Sequence, residues 1–166
     1  MLVIGIDPGT ALTGYGLVSR RGDGSIKLVD YGVIRTSSSQ PMSTRLVKLH
    51  QELDMLLKRH KPHQAAVERL FFQKNVTTAI SVGQARGVVM LALAQAGLSV
   101  DEYTPQDIKI AVTGYGAADK GQMQRMVKML LAMDELPKPD DAADALAVAI
   151  CHAHSAAMQD RIEASE

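Results

Sequence analysis

The sequence predicts an α/β domain in which a mixed β-sheet is covered by helices. Three strand-like segments come first, helices and strands then alternate, and a run of helices follows, in the order βββαβαβααα. The chain has 166 residues, 46% of them hydrophobic, which is enough to bury one core. We therefore expect a single domain over residues 1–159 and a flexible tail over residues 160–166.

The first three strands are predicted to form an antiparallel meander. Residues 2–6 are a short apolar run that ends at Asp7, Pro8 and Gly9, as a buried strand does when it reaches a turn. Residues 15–19 and 26–36 alternate between apolar and polar side chains, with a glycine-containing turn between them. Short turns of this kind join neighbouring antiparallel strands.

The remaining elements follow from helical spacing and from turn residues. Leucines recur at helical intervals over residues 43–60, and Pro62 lies just beyond them. A strand over residues 64–70 carries Glu68, and a long helix ends before Gly97. This long helix is predicted over residues 75–96. It is followed by a strand over residues 99–104 and by helices over residues 106–112, 119–133 and 140–159.

Charge is distributed unevenly along the chain, although the formal net charge is zero. Residues 35–128 carry thirteen Lys or Arg and seven Asp or Glu, whereas residues 129–166 carry two and eight. Such an asymmetry is typical of a surface that faces a polyanion beside an acidic region. Solvated charge on helix faces would give the same pattern, so both interpretations stay open here.

The cysteine and hydropathy patterns indicate a cytoplasmic protein. Cys151 is the only cysteine, which excludes an intrachain disulfide and a cysteine-rich zinc site. The N-terminal residues resemble no secretory signal, and the apolar run over residues 88–94 is too short to span a bilayer. Cys151, His152 and His154 lie close together on one helix, where they converge poorly on a metal ion.

Four carboxylates are placed where they can meet. Asp7 and Glu68 end or nearly end two strands, while Asp141 and Asp144 are three residues apart and share one face at the start of the last helix. Like charges held close together need a compensating cation. Oxygen ligands select Mg²⁺ or Mn²⁺. The alternative for Asp141 and Asp144 is stabilisation of the helix N-terminus, although Asp140 is already predicted to cap it.

Several short motifs resemble the RuvC family of Holliday junction resolvases over nearly the whole chain. The resemblance is carried by Gly5-Ile6-Asp7-Pro8-Gly9-Thr10, Thr13-Gly14-Tyr15-Gly16, Val67-Glu68 with Phe71, Asn75, Gly83-Gln84-Ala85-Arg86-Gly87, Gln106-Asp107-Ile108-Lys109, Ala118-Asp119-Lys120 and Asp141-Ala142-Ala143-Asp144-Ala145-Leu146. It implies an RNase H-like fold and a metal-dependent endonuclease that resolves four-way DNA junctions in recombination and repair.

The resemblance also implies roles for individual residues. The metal ligands would be Asp7, Glu68, Asp141 and Asp144, and the active-site lysines would be Lys109 and Lys120. Two metal ions, Mg²⁺ with Mn²⁺ as a substitute, can activate a water and stabilise the leaving 3′ oxygen, which leaves a 5′-phosphate end. Lys120 lies in the first turn of a helix capped by Asp119, where a cation opposes the helix dipole, and this position favours a functional role.

Further residues are candidates for DNA contact. Phe71 and Phe72 follow Glu68 directly, and adjacent side chains on an extended segment point to opposite faces. We expect Phe71 to stack on a base at the junction and Phe72 to lie in the core. Cations that can meet phosphates, or can simply be solvated, are Arg69, Lys74, Arg86, Lys109 and Lys120.

A homodimer is expected because a four-way junction presents two symmetry-related strands to be cut. The helix over residues 75–96 is the predicted seam, that is, the contact surface between the two copies. Ala79, Gly83 and Gly87 recur there every four residues on one face. Glycine costs about 1 kcal/mol relative to alanine in a helix, so a close approach should compensate. Packing on the protein's own sheet would compensate equally, but the resemblance favours the dimer. It also implies the RuvA–RuvB branch migration complex as a partner.

Two other functions share part of the pattern. The Asp7-Pro8-Gly9-Thr10 turn resembles the first phosphate-binding turn of actin-like ATPases and sugar kinases, but those folds need a second related domain for which this chain has no room. A non-catalytic junction-binding protein is disfavoured by the carboxylates, because they repel phosphate unless a metal is bound.

Overall fold

The computed structural model describes residues 1–69 and 76–163, and the side chains of residues 76–78 and 157–163 lie outside that description. Its strands are β1 (Leu2–Asp7), β2 (Leu12–Arg20), β3 (Ile26–Arg35), β4 (Gln64–Glu68) and β5 (Val100–Tyr103). Its helices are α1 (Met42–His60), α2 (Val76–Gln95), α3 (Pro105–Thr113), α4 (Lys120–Leu130) and α5 (Asp140–Glu163). None of the helices in the described ranges is long and apolar enough to cross a membrane.

The sheet is mixed, as the sequence predicts. Its five strands lie in the order β3-β2-β1-β4-β5. The first three form an antiparallel meander, while β4 pairs with β1 and β5 pairs with β4 in parallel. Since β1 and β4 are parallel neighbours, their carboxyl ends lie at the same edge, and this edge holds both Asp7 and Glu68.

Helices cover both faces of the sheet. Ile4 and Ile6 of β1 pack with α1 and α2 on one face, whereas Val3 packs with α5 on the other, as the alternation of a strand requires. The helices α3 and α4 pack beside α5. The predicted leucine stripe of α1 is confirmed, since Leu49, Leu53 and Leu57 are its buried residues.

Helix α5 lies unusually close to the sheet because glycines face it. A Cβ at Gly16 would come within 2.8 Å of the Cα of Leu146, and one at Gly14 would collide with the backbone oxygen of Asp141. Real Cβ atoms essentially never make contacts so short. Because Gly14 and Gly16 of β2 have no side chains, the first turns of α5 lie directly beside the carboxyl end of β1 and the start of β2.

Three element boundaries differ from the prediction by three residues or more. Strand β2 begins at Leu12 and not at residue 15, because Gly14, which has a low strand propensity, is nevertheless paired with Asp7. Helix α4 ends at Leu130 and not at residue 133, since Ala132 adopts a left-handed conformation with φ of 49°. Helix α5 continues to Glu163, beyond the predicted end at residue 159, and residues 164–166 lie outside the described part.

Candidate active site

The carboxyl ends of β1 and β4 and the start of α5 bring the predicted carboxylates into one region. Asp7 is the last residue of β1 and Glu68 the last of β4. Asp141 and Asp144 lie in the first turns of α5, which the close contact at Gly14 holds against this edge. All four side chains are partly buried, at an intermediate level between core and surface.

The electrostatics of Asp7 connect it to the other three carboxylates. Burial, the largest cause, and the charges of Glu68, Asp144 and Asp141, in that order of importance, together raise the pKa of Asp7 from 3.8 to about 7. Burial, followed by the charge of Asp144, raises the pKa of Glu68 as well. A carboxylate is costly in such surroundings unless positive charge is supplied nearby.

Lys120 supplies part of that positive charge. Its Nζ lies 3.0 Å from Asp140 Oδ2 and 3.7 Å from Asp144 Oδ2. The hydrogen bond to Asp140 is the largest contribution raising the pKa of Lys120, which keeps the ammonium charged. Burial raises the pKa of Asp144, and the charge of Lys120 partly offsets this effect.

The position of Lys120 follows from the local sequence of α4. Asp119 caps the helix by accepting from Gln122 N, and the Gln122 side chain accepts in return from Asp119 N. This capping box fixes Lys120 as the first residue of α4, as the sequence predicts. Asp140 has a different role from the predicted one: it is the first residue of α5, and its carboxylate accepts from Lys120 and from Gln124 Nε2 at 2.9 Å.

A cleft of about 230 Å³ opens between these elements. It is lined by the two predicted active-site lysines, by two of the four carboxylates and by apolar side chains: Glu68, Pro105, Ile108, Lys109, Lys120, Met123, Asp144 and Ala147. Lys109 is placed there by α3, whose first turn is fixed by a capping box between Thr104 and Asp107. Lys109 and Lys120, beside the carboxylates at the strand ends, provide positive charge to which a phosphate group can bind.

The donor set fits a hard divalent cation. Asp7, Glu68, Asp141 and Asp144 offer oxygen ligands only, which suit Mg²⁺ or Mn²⁺. Among the side chains described, no three His, Cys, Asp or Glu groups already stand together at metal-ligand spacing. The charges of Glu68, Asp144 and Asp141 all act on Asp7, so the four carboxylates share one electrostatic environment.

The predicted DNA contacts occupy different surroundings. Arg69 follows β4 and its side chain is 53% exposed. The Arg86 side chain is 18% exposed and is paired inward with Glu102 and with the backbone oxygen of Glu68. Phe71, Phe72, Lys74 and Asn75 lie outside the described residues. The sequence did not predict a role for Glu102, because an acidic residue on an edge strand resembles ordinary surface charge.

Comparison with known proteins decides the family. The family model for the crossover junction endodeoxyribonuclease RuvC matches residues 3–152. This chain belongs to the RuvC family. A RuvC of Desulfitobacterium hafniense, named crossover junction endodeoxyribonuclease, is 57% identical over 162 residues, which is 98% of each chain. The resemblance found in the sequence motifs is confirmed by both comparisons.

Solved RuvC structures confirm the fold. The structure of Thermus thermophilus RuvC superposes with a TM-score of 0.89 at 38% identity, covering 96% of this chain and 97% of that one. A second structure, T. thermophilus RuvC in complex with Holliday junction substrate, gives a TM-score of 0.87 at 35% identity, covering 95% and 96%. The predicted RNase H-like mixed sheet is therefore the fold of this RuvC family member.

Proposed function

We propose that this enzyme performs the reaction of its family, the structure-specific cleavage of Holliday (four-way) DNA junctions, at the cleft between β4, α3, α4 and α5. Asp7, Glu68, Asp141 and Asp144 would hold divalent cations beside this cleft, Mg²⁺ first and Mn²⁺ as a substitute. The observation that carries this assignment is the gathering of partly buried carboxylates, with the pKa of Asp7 raised to about 7, at one sheet edge of a RuvC family chain.

Two divalent cations held by the four carboxylates would supply an activated water and would stabilise the leaving oxygen of the phosphodiester. The negative charge of the four carboxylates would offset the positive charge of these ions. Lys120, already beside Asp144, faces the cleft where the phosphate enters and remains protonated through its bond to Asp140. Breakage of the bond to the 3′ oxygen leaves a 5′-phosphate and a 3′-hydroxyl.

The DNA is held by cations around the cleft and by an aromatic side chain. Lys109 and Lys120 line the cleft itself, and the exposed Arg69 stands at the end of β4 beside Glu68. These cations contact phosphates, which position a duplex without reading its sequence. Phe71 and Lys74 belong to the same proposed surface, on the basis of the sequence alone.

The enzyme acts as a homodimer whose seam is the outward face of α2. Among the described residues, a Cβ built at Gly83 or at Gly87 meets no atom within 4 Å, so no packing seen there on the protein's own sheet requires either glycine. Ile80 and Leu91, which flank them, are 60% and 52% exposed. A second copy would bury these apolar side chains and explain two glycines in mid-helix.

Two further assignments rest on the family. The RuvA–RuvB branch migration complex is the protein partner we expect, since this complex acts on the same junctions. The enzyme would work where the DNA lies, which we expect to be the cytoplasm.

A cleavage assay on one synthetic four-way junction tests the proposal. Strands labelled at their 5′ ends are incubated with the enzyme in Mg²⁺, in Mn²⁺ and in EDTA, and a linear duplex of the same sequence is the control. Paired nicks in the junction alone, only with divalent cation, and with ends that a ligase seals, are expected. Binding without cleavage in either metal would instead identify a junction-binding protein without nuclease activity.

A further inference from the structure

The peptide group that follows Glu68 is held from two sides. Its carbonyl, Glu68 O, accepts a hydrogen bond from Arg86 Nη1 at 2.9 Å. Its N–H, that of Arg69, donates to the backbone oxygen of Tyr103 at 2.7 Å. Strand β4 ends at this peptide, so the two bonds fix the orientation of the backbone at the residue that carries the carboxylate.

Arg86 is itself fixed by Glu102 of β5. Its Nη2 lies 2.8 Å from Glu102 Oε1, and the side chain is only 18% exposed. One planar guanidinium therefore binds a carboxylate and a carbonyl at once, a fork that a lysine cannot reproduce with a single nitrogen. Arg69 also reaches Glu102, but at 3.6 Å and with a side chain that is 53% exposed.

We propose that Arg86, held in place by Glu102, is a positioning residue that sets the direction of the Glu68 carboxylate through the backbone. The proposal rests on the role of Glu68 as a metal ligand, assigned above. If the Glu68 carbonyl lost its partner, the peptide could rotate and the Glu68 side chain would swing with it. Misplacement by about 1 Å near a reacting centre can cost about a hundredfold in rate.

The competing role for Arg86 is the direct DNA contact predicted from the sequence. The two roles predict different effects of Arg86→Lys and of Glu102→Gln on DNA binding and on cleavage. A phosphate contact depends on charge, so Arg86→Lys would keep most of the DNA affinity. The contact of Arg86 with Glu102 and with the Glu68 carbonyl, here called the clamp, instead needs the two-pronged guanidinium. In addition, Glu102→Gln removes a negative charge and releases Arg86, which would strengthen binding to DNA if Arg86 contacted phosphate but would weaken the clamp.

The experiment measures binding and cleavage separately on the full-length protein with one labelled four-way junction. Dissociation constants are taken in EDTA over a range of salt concentrations, and single-turnover rates are taken at saturating protein across a Mn²⁺ titration. The variants are Arg86→Lys, Glu102→Gln and their double mutant. Glu52→Gln, which removes a carboxylate from a surface ion pair on α1, is the matched control.

The clamp predicts a loss of about 10- to 100-fold in single-turnover rate or in apparent Mn²⁺ affinity for both Arg86→Lys and Glu102→Gln. Junction binding should stay within about twofold, and the double mutant should be little worse than either single variant because both break one unit. Tighter binding with an unchanged rate in Glu102→Gln would overturn the clamp. So would an Arg86→Lys enzyme that cleaves normally at saturating protein.

Two controls keep the outcomes distinct. If Arg86→Lys does not fold, judged by its thermal melt, Glu102→Gln alone decides, since its side chain is partly exposed and has the same shape. Glu68→Gln is assayed in parallel. Normal cleavage by that variant would remove the site assignment itself, whereas an inactive Glu68→Gln beside fully active Arg86 and Glu102 variants would remove only the clamp.

Discussion

Gly14 of β2 lies against the backbone carbonyl of Asp141 in the first turn of α5, with no room for a side chain between them. Gly14 is also the β2 partner of Asp7 in the antiparallel ladder. One glycine thus joins the strand that carries the first carboxylate to the helix that carries two others. This close packing therefore contributes to the spacing between Asp7 and the carboxylates of α5.

Gly14→Ala is expected to disrupt both stability and cleavage. The added methyl meets backbone, which cannot give way as a flexible side chain would, so α5 must shift from the sheet. Overpacking of this kind costs about 1–3 kcal/mol or more in the free energy of unfolding. Chemical denaturation and a junction cleavage assay measure the two effects.

Gly22→Ala is the matched control, because its Cβ would meet no atom of the described residues within 4 Å. It should change neither the unfolding free energy nor the cleavage rate appreciably. Equal stability of Gly14→Ala and Gly22→Ala would show that the helix adjusts freely and that the contact does not set the site.

Neutralising single carboxylates should abolish cleavage and preserve junction binding. Asp7→Asn, Glu68→Gln and Asp144→Asn each remove a proposed ligand, and loss of several kcal/mol of transition-state stabilisation corresponds to roughly a thousandfold or more in rate. Binding should be equal or tighter, because a negative charge facing the DNA is removed. Gel shifts in EDTA and nicking assays in Mg²⁺ measure the two properties, and full activity of Asp7→Asn would refute the metal assignment.

The pKa of Asp7 makes a prediction about stability in EDTA. Its folded-state pKa of about 7 lies above the ordinary value of 3.8. Between these two pH values the folded protein holds a proton that the unfolded chain releases, so this group lowers the free energy of unfolding progressively as the pH rises from about 4 to about 7. Asp7→Asn removes that penalty and should be more stable than the parent at pH 8 by about 1–4 kcal/mol.

Denaturant unfolding of both proteins in EDTA at pH 4, 6 and 8 checks this, and the difference should vanish near pH 4. Asp23→Asn is the control, because the pKa of the exposed Asp23 is shifted in the opposite direction: hydrogen bonds from Ser25 lower it. It should show no gain at pH 8. A parent that is as stable as Asp7→Asn at pH 8 would mean that burial and the neighbouring carboxylates do not strongly disfavour the charged form of Asp7.

The strand ends were predictable because their signals are local. An apolar run that stops at Asp7 and another that carries Glu68 need no knowledge of distant residues, and the order of elements implies the mixed sheet that brings them together. The capping box that begins α4 at Lys120 is local for the same reason. These parts of the fold and site follow from short stretches of sequence.

The remaining features depend on contacts between distant segments. Asp140 was expected to cap its own helix, yet its carboxylate binds Lys120 and Gln124 of α4. Helix α2 is apolar on most sides, so the pattern could not tell that Arg86 turns inward to Glu102 while Gly87 faces outward. Buried His152 is likewise bonded across the fold, to Gln64 of β4 and Tyr103 of β5.

Phe71→Ala is expected to slow junction cleavage with little effect on folding. Loss of stacking on a base costs about 1–3 kcal/mol, or roughly 5- to 150-fold in cleavage at limiting enzyme. Phe71→Trp is the matched control, since it keeps an aromatic face and should keep activity. A large fall in the melting temperature of Phe71→Ala without a specific loss of cleavage would assign the side chain to the core.

The outward face of α2 gives the prediction for assembly. Gly83→Leu and Gly87→Leu place a bulky side chain where the described part of the protomer leaves open space, and leucine is a better helix former than glycine by about 1 kcal/mol. Each variant should therefore fold at least as well as the parent while blocking close approach of a second α2. The expected result is a shift toward monomer and an accumulation of single nicks in place of resolved duplexes.

Sedimentation equilibrium measures the dimer, and a supercoiled cruciform plasmid reports whether both strands are cut within one encounter. Gln51→Leu, which adds the same side chain to an exposed position of α1, should remain dimeric and cut both strands together. Because the glycine variants stay folded and keep the carboxylates, each monomer should still nick a junction slowly. A folded, dimeric Gly83→Leu or Gly87→Leu that still makes paired cuts would move the seam to another face of the molecule.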